Sequence, residues 1–129
     1  MLEDLVDSSP NKPGRRNRIE QVRQSVDSVC RESFVAEVAN QLVEPSSAIA
    51  TANDEDVEAL EDTARALRRF EAIAKNFGGA EFYDQQLRGA ARALSPQGGD
   101  DTTVLASRLR LIEILRGPDA AAAAMQGLP

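Results

Sequence analysis

Residues 54–77 read DEDVEALEDTARALRRFEAIAKNF, and their apolar side chains recur every three or four positions. That spacing places them on one side of an α-helix. Asn53 or Asp54 is a suitable N-cap, and Gly78 with Gly79 ends the pattern. The stretch therefore predicts a helix about 36 Å long whose apolar side packs against other elements. The positions on that side are Val57, Leu60, Ala64, Leu67, Phe70, Ile73, Ala74 and Phe77.

Three other segments repeat this helical spacing, and no segment alternates apolar and polar residues as a strand does. The sequence therefore predicts an all-α fold, a bundle of four main helices. Asp100 or Asp101 is a candidate N-cap for the last main helix, and Asp119 for a further short helix through the alanines that follow it. Residues 1–14 are predicted as a disordered tail, which leaves 15–129 as a single helical-bundle domain. The four main helices are expected over about 15–43, 54–77, 80–94 and 101–116.

The first of these helices carries the longest apolar series in the chain. Its members are spaced by three and four, which predicts one buried stripe along the whole helix. Ser33 interrupts the series and is a candidate bend, and Pro45 is expected to end the helix. The predicted buried positions are Ile19, Val22, Val26, Val29, Cys30, Val35, Val38, Ala39 and Leu42.

Composition excludes several classes of protein. The 129 residues include no His and one Cys, so a histidine base, an intrachain disulfide and a cysteine-based zinc site are all ruled out. Fifteen lysines and arginines against 21 aspartates and glutamates give a net charge of −6, which disfavours non-specific binding to nucleic acid or anionic lipid. No apolar run is long enough for a membrane span, and MLEDLVDSSP lacks the pattern of an export signal. We expect a soluble, cytoplasmic protein that does not bind membranes.

No motif in the chain indicates catalysis or a cofactor. Asp54, Glu58 and Asp62 share one helical face, but they lack the loop pattern of a calcium site and suit the positive end of the helix dipole. Cys30 falls on the apolar stripe, where a buried, unreactive thiol is expected. We therefore predict no enzyme activity, no cofactor, no metal site and no small-molecule substrate.

The leading functional prediction is a non-catalytic protein-interaction module, such as an adaptor, a chaperone-like or regulatory subunit, or a building block of a helical oligomer. It rests on the long amphipathic helices, whose flanking side chains Phe34, Val43, Phe82 and Tyr83 exceed what a single seam needs. The alternative is that these side chains close the bundle core. The predicted contact residues for a protein partner or a second copy are Phe34, Val38, Leu42, Phe70, Phe82 and Tyr83, with Arg68, Arg69 and Arg88 at the rim.

A basic segment at residues 12–23 supports an alternative function. It stands where the predicted tail meets the first helix, an arrangement by which some proteins reach into a DNA groove. Acidic residues later in the same helix and the absence of a helix-turn-helix pattern weigh against it. A small nucleic-acid-binding or packaging protein therefore remains the alternative prediction. Its binding residues would be Lys12, Arg15, Arg16, Arg18 and Arg23.

Overall fold

The computed structural model describes residues 13–127, and these form an all-α fold with no strand among them. The predicted fold class is thus confirmed, but the number of helices is five rather than four, because the short C-terminal segment is a helix of its own. The helices are α1 (Pro13–Glu37), α2 (Asp54–Ala74), α3 (Ala80–Ala93), α4 (Thr102–Arg116) and α5 (Pro118–Gln126). Of the predicted tail, residues 1–12 lie outside the described residues, whereas Pro13 and Gly14 begin α1.

The prediction that the first helix ends before Pro45 is wrong. A π-helix over Val38–Val43 continues α1, and one further α-turn follows at Glu44–Ser46. In the π-helix the backbone N–H of Glu44 donates to the carbonyl of Ala39, five residues earlier. A proline in a regular α-helix lacks a donor and clashes with the carbonyl four residues before it. Here Pro45 follows the π-helix and lies in the first turn of the next α-turn, a position where a proline is tolerated, and the helical path ends at the 3₁₀ turn Ile49–Thr51.

Side-chain caps fix the starts of α2 and α4, as the sequence predicts. The Asn53 side chain accepts a hydrogen bond from the backbone N–H of Asp56 at 2.8 Å, and the Asp56 carboxylate accepts one from the backbone N–H of Asn53. Asp101 caps α4 by accepting from the backbone N–H of Val104 at 2.9 Å. The expected cap at Asp119 is wrong, because α5 begins with Gly117 as its N-cap and a proline at its first position.

The core lies where the second half of α1 and its π-helix meet α2, α3 and α4, and α5 packs on α4. At its centre the rings of Phe34 and Tyr83 meet edge to face, with centroids 5.0 Å apart and planes at 86°. Such edge-to-face pairs add to the free energy gained by burying the rings. The largest fully buried side chains are Tyr83, Phe34, Leu42, Leu94, Leu111, Ile112 and Leu115.

One buried ion pair joins the turn before α4 to the helix itself. Arg108 Nε lies 2.8 Å from Asp100 Oδ2, and both side chains are nearly fully buried. The N–H of Nε does not point at the carboxylate, so the contact is a charge pair rather than a hydrogen bond. The same carboxylate oxygen accepts from the backbone N–H of Gln97 at 2.9 Å. The pair thus ties the turn at residues 97–100 to the apolar side of α4.

None of the helices in residues 13–127 is long and apolar enough to cross a membrane.

Candidate functional site

Four of the predicted contact residues belong to the core, which corrects the expectation that they form a surface. Phe34, Val38, Leu42 and Tyr83 are all buried. With only four Phe and one Tyr in the chain, the bundle uses two of its five aromatic rings to fill its centre. The alternative, that the flanking side chains close the bundle core, is therefore correct for Phe34 and Tyr83.

The other two predicted apolar contacts lie at the edge of the same core. Phe70 and Phe82 are half-buried, with ring centroids 5.4 Å from those of Phe34 and Tyr83 respectively. The guanidinium of Arg31 lies over the Phe82 ring, 5.2 Å from its centroid. This cation–π contact covers part of the Phe82 ring, which the sequence predicts to contact a partner.

The three predicted rim arginines are exposed, and two of them make contacts within the fold. Arg68 donates to the backbone carbonyl of Leu115 and pairs with Glu71, so it ties α2 to the end of α4. Arg88 Nε lies 2.9 Å from Asp84 on the same helix. Arg69 and Arg88 lie on different helices, so the three arginines do not form a rim on one helix.

The first half of α1 carries an apolar surface that the fold leaves uncovered. Ile19, Val22 and Val29 are 59%, 63% and 60% exposed, and Val26 between them is half-buried. We call these four residues the α1 stripe. The prediction of one continuous buried stripe is therefore wrong for this half of the helix.

The geometry of an α-helix explains why the α1 stripe stays uncovered. At 100° per residue its four side chains centre roughly 100° around the helix from Phe34, which enters the core. The spacing of three and four is continuous in the sequence, but the side of α1 that meets the bundle is not the side that bears the stripe. Val35, on the opposite side of α1 from the stripe, is 41% exposed.

The α1 stripe lies next to the junction of α2 and α3. Arg23 donates from Nη2 to the backbone carbonyl of Asn76 at 2.8 Å, which fixes α1 against the end of α2. The exposed side chains of Ile73 and Phe77 stand on that end of α2 and its 3₁₀ turn. Asp27, paired with Arg31 at 3.0 Å, lies beside Gly78. The first half of α1 thus contacts the rest of the fold along one edge, while its apolar side remains open.

Only two of the predicted nucleic-acid residues have described side chains. Lys12 lies outside the described residues, and Arg15 and Arg16 fall in the first turn of α1. Arg18 and Arg23 are both exposed, and Arg23 also donates a hydrogen bond to the carbonyl of Asn76. The alternative function therefore stays a prediction.

The hollows seen among residues 13–127 are open to solvent. One of about 340 Å³ between the start of α2 and the start of α4 is lined by apolar and hydroxyl side chains together with Asp54, Glu58, Glu61 and Asp101, so its charged groups are all acidic. Residues 13–127 contain no group of three or more acidic or cysteine side chains that could hold a metal ion. Cys30 is half-buried and packs against the core.

Two side chains in the fold have shifted pKa values, each with a structural cause. Burial raises the pKa of Tyr83, and the nearby Cys30 and Asp27 raise it further. For Asp84, burial acts to raise the pKa, but the hydrogen bond and positive charge of Arg116, together with Arg88, outweigh it and lower the pKa overall. Both shifts follow from packing and ion pairing.

Comparisons with known proteins assign no family: no family model, no curated protein and no solved structure matches the chain.

Proposed function

We propose that this chain is a non-catalytic protein-interaction module that binds through the α1 stripe. The observation that carries the proposal is the exposure of Ile19, Val22 and Val29 on a helix that the rest of the fold holds in place. A single exposed apolar residue is ordinary, but several on one helical face form a surface that proteins use for binding. Partly exposed Ile73 and Phe77 extend the apolar area on the neighbouring element.

The chemistry of the α1 stripe favours a protein partner. Its four side chains are branched and aliphatic, and each has few rotamers to lose when it is covered. The arrangement fits a helix of a partner laid along α1, which is the usual way an amphipathic helix is recognised. An adaptor, a chaperone-like or regulatory subunit and an oligomer building block all use such a surface, and we propose a cytoplasmic setting for it.

The experiment is recovery of binding partners on the tagged full chain from its native host, with and without nuclease. The Val22→Asp variant removes the proposed surface, and Val35→Asp, on the opposite side of the same helix, is the matched control. We expect one protein recovered in an amount close to that of the tagged chain. It should remain after nuclease treatment and with Val35→Asp, and it should be lost with Val22→Asp. A second copy of the chain counts as such a protein.

Two results would contradict the proposal. Partners that both variants retain equally would show that another surface binds. Recovery of nucleic acid instead, with loss after substitution of Arg15, Arg16 and Arg18, would favour the alternative function of the basic segment.

A further inference from the structure

We propose that the α1 stripe binds the α1 stripe of a second copy of this chain, with the two helices antiparallel. This inference rests on the proposed function, because it names the occupant of the same surface. Three observations carry it: the spacing of the stripe, the distribution of charge along α1, and the exposure of the stripe and of one flank beside it.

The spacing of the α1 stripe is that of a coiled-coil seam. Ile19, Val22, Val26 and Val29 follow one another at three, four and three residues, which are successive core positions of a heptad pattern. In an antiparallel pair centred near residue 24, Ile19 packs against Val29 of the second copy and Val22 against Val26. The surface is therefore complementary to itself, as a twofold interface requires.

The charges along α1 select the antiparallel orientation. Residues 13–25 contain four arginines and one glutamate, whereas residues 26–37 contain one arginine and three acidic residues. An antiparallel pair places the basic half of each helix beside the acidic half of the other, and a parallel pair places like charges together.

The exposed residues Arg18 and Glu32 flank the α1 stripe at its two ends, on the side away from the bundle. In the antiparallel pair Arg18 of each copy lies opposite Glu32 of the other, and uncharged Ser25 lies near the twofold axis. On the other flank, Arg23 is bound to the carbonyl of Asn76 and is directed toward its own α2. On the flank away from the bundle, the charges therefore match across the proposed interface.

The bundle meets α1 on the side away from Arg18 and Glu32. The core packs on the second half of α1 and its π-helix, from Phe34 onward, and the junction of α2 and α3 lies beside Arg23 and Asp27. An antiparallel pair over residues 18–32 therefore uses the α1 stripe and the flank that bears Arg18 and Glu32, which the bundle leaves uncovered. A pair of two heptads is short, but each helix is already formed and anchored, so pairing does not carry the cost of helix nucleation.

The first test is the molar mass of the untagged full chain by sedimentation equilibrium from low micromolar to submillimolar protein. We expect a reversible shift from 13.9 kDa toward twice that mass. Val22→Asp should raise the dissociation constant about 100-fold or more, since each dimer would bury two carboxylates without partners. Ile19→Asp should act in the same way, and Val35→Asp, a matched control on the opposite side, should leave the dissociation constant unchanged. Circular dichroism verifies that each variant is folded.

The second test sets the orientation. Arg18→Glu and Glu32→Arg should each weaken the dimer about fivefold, because each places two pairs of like charges at the interface. The double variant Arg18→Glu/Glu32→Arg should restore it. In a parallel dimer Arg18 and Glu32 would not face each other, so the double variant would not restore the association.

Several results would overturn the inference. A chain that is monomeric at all concentrations, or a dimer unaffected by Val22→Asp, would show that a second copy does not cover the stripe. A dimer that the double variant fails to restore would refute the antiparallel arrangement. A monomer that still captures a different protein through Val22 would overturn this inference while leaving the proposed function intact.

Discussion

Tyr83 lies at the centre of the core, and its ring and its hydroxyl should affect stability in opposite directions. The ring meets Phe34 at 5.0 Å and Phe82 at 5.4 Å between centroids, both nearly edge to face. The hydroxyl is buried and has no hydrogen-bond partner in the described part of the chain. Two substitutions separate these contributions: Tyr83→Ala removes both, whereas Tyr83→Phe removes only the hydroxyl.

The burial of the ring and of the hydroxyl sets how much each substitution should change the free energy of unfolding. Loss of a buried aromatic ring costs about 3–5 kcal/mol, a large part of the roughly 5–15 kcal/mol that stabilises a domain of this kind. Tyr83→Ala should therefore come close to unfolding the protein. An unpaired buried hydroxyl costs about 1–3 kcal/mol, so Tyr83→Phe should stabilise the fold by about 1 kcal/mol and raise Tm by about 4 °C.

The raised pKa of Tyr83 predicts how the stability of the fold changes at alkaline pH. Burial first, and then Cys30 and Asp27, raise the pKa of the folded state above the ordinary value near 10. The stability linked to the neutral phenol is thus complete below about pH 10 and is lost as pH rises through the folded-state pKa. Because Tyr83 is the only tyrosine and the chain has no tryptophan, phenolate absorbance reports its titration alone.

The assay is chemical denaturation followed by circular dichroism at neutral and alkaline pH, with Ile73→Ala as an exposed control. We expect Tyr83→Phe to be more stable than the natural chain at neutral pH and to lose less stability at alkaline pH. Ile73→Ala should change the free energy of unfolding by less than about 0.5 kcal/mol. A destabilised Tyr83→Phe would show that the hydroxyl is paired, and a stable Tyr83→Ala would show that the ring is not part of the core.

The other predictions concern the ion pairs and caps, and denaturation measures each of them. Arg108→Ala should lower the free energy of unfolding by about 3–5 kcal/mol, because it leaves the buried Asp100 carboxylate without a positive charge beside it. The double variant Arg108→Met/Asp100→Asn should recover much of that loss, and a loss below about 1 kcal/mol for Arg108→Ala would mean that the carboxylate is hydrated. Asn53→Ala should lower the free energy of unfolding by about 1 kcal/mol, and Asn53→Asp should lower it much less. Equal values for the two variants would show that the cap does not form in solution. The pKa of Asp84 is lowered in the folded state, so its contribution to the free energy of unfolding is present above its ordinary pKa and is lost as pH falls through the folded-state pKa. Asp84→Asn should therefore make stability fall less steeply at acid pH, and an unchanged pH profile would refute the pairing with Arg116.

Local sequence signals predicted where most helices begin and end. Asn53 and Asp101 have side chains that cap free N–H groups, and they do so in the structure. Gly78 and Gly79 both adopt positive φ values, which glycine reaches without strain, and they separate α2 from α3 as expected. Such signals act over a few residues, so they can be interpreted without knowledge of the tertiary fold.

The candidate site was harder to predict, because periodicity shows that a helix has an apolar side but not what covers it. Ile19 and Leu42 belong to the same repeat, yet one is exposed and the other is fully buried. The difference arises from where the bundle meets α1, a long-range property. Phe34 and Tyr83 were misassigned to the surface for the same reason, since nothing local indicates that their rings pair across two helices.

Arg108 illustrates a signal that was present and missed. It occupies a position four residues after Val104 and three before Leu111, on the apolar side of α4. A charged residue on that side needs a partner, and Asp100 precedes the helix at the right end to supply one. An arginine within an apolar repeat therefore predicts a buried ion pair.

If the proposed function is right, the exposed side of α1 is the surface that becomes covered when this protein binds. Backbone hydrogen exchange of the full chain, dilute and then concentrated or saturated with a recovered partner, tests it directly because it maps what becomes covered without assuming the occupant. We predict that the added protection is concentrated in residues 17–32 and at the neighbouring end of α2, and that Val22→Asp abolishes it. Added protection confined to α4 and α5, with α1 unchanged, would contradict the account.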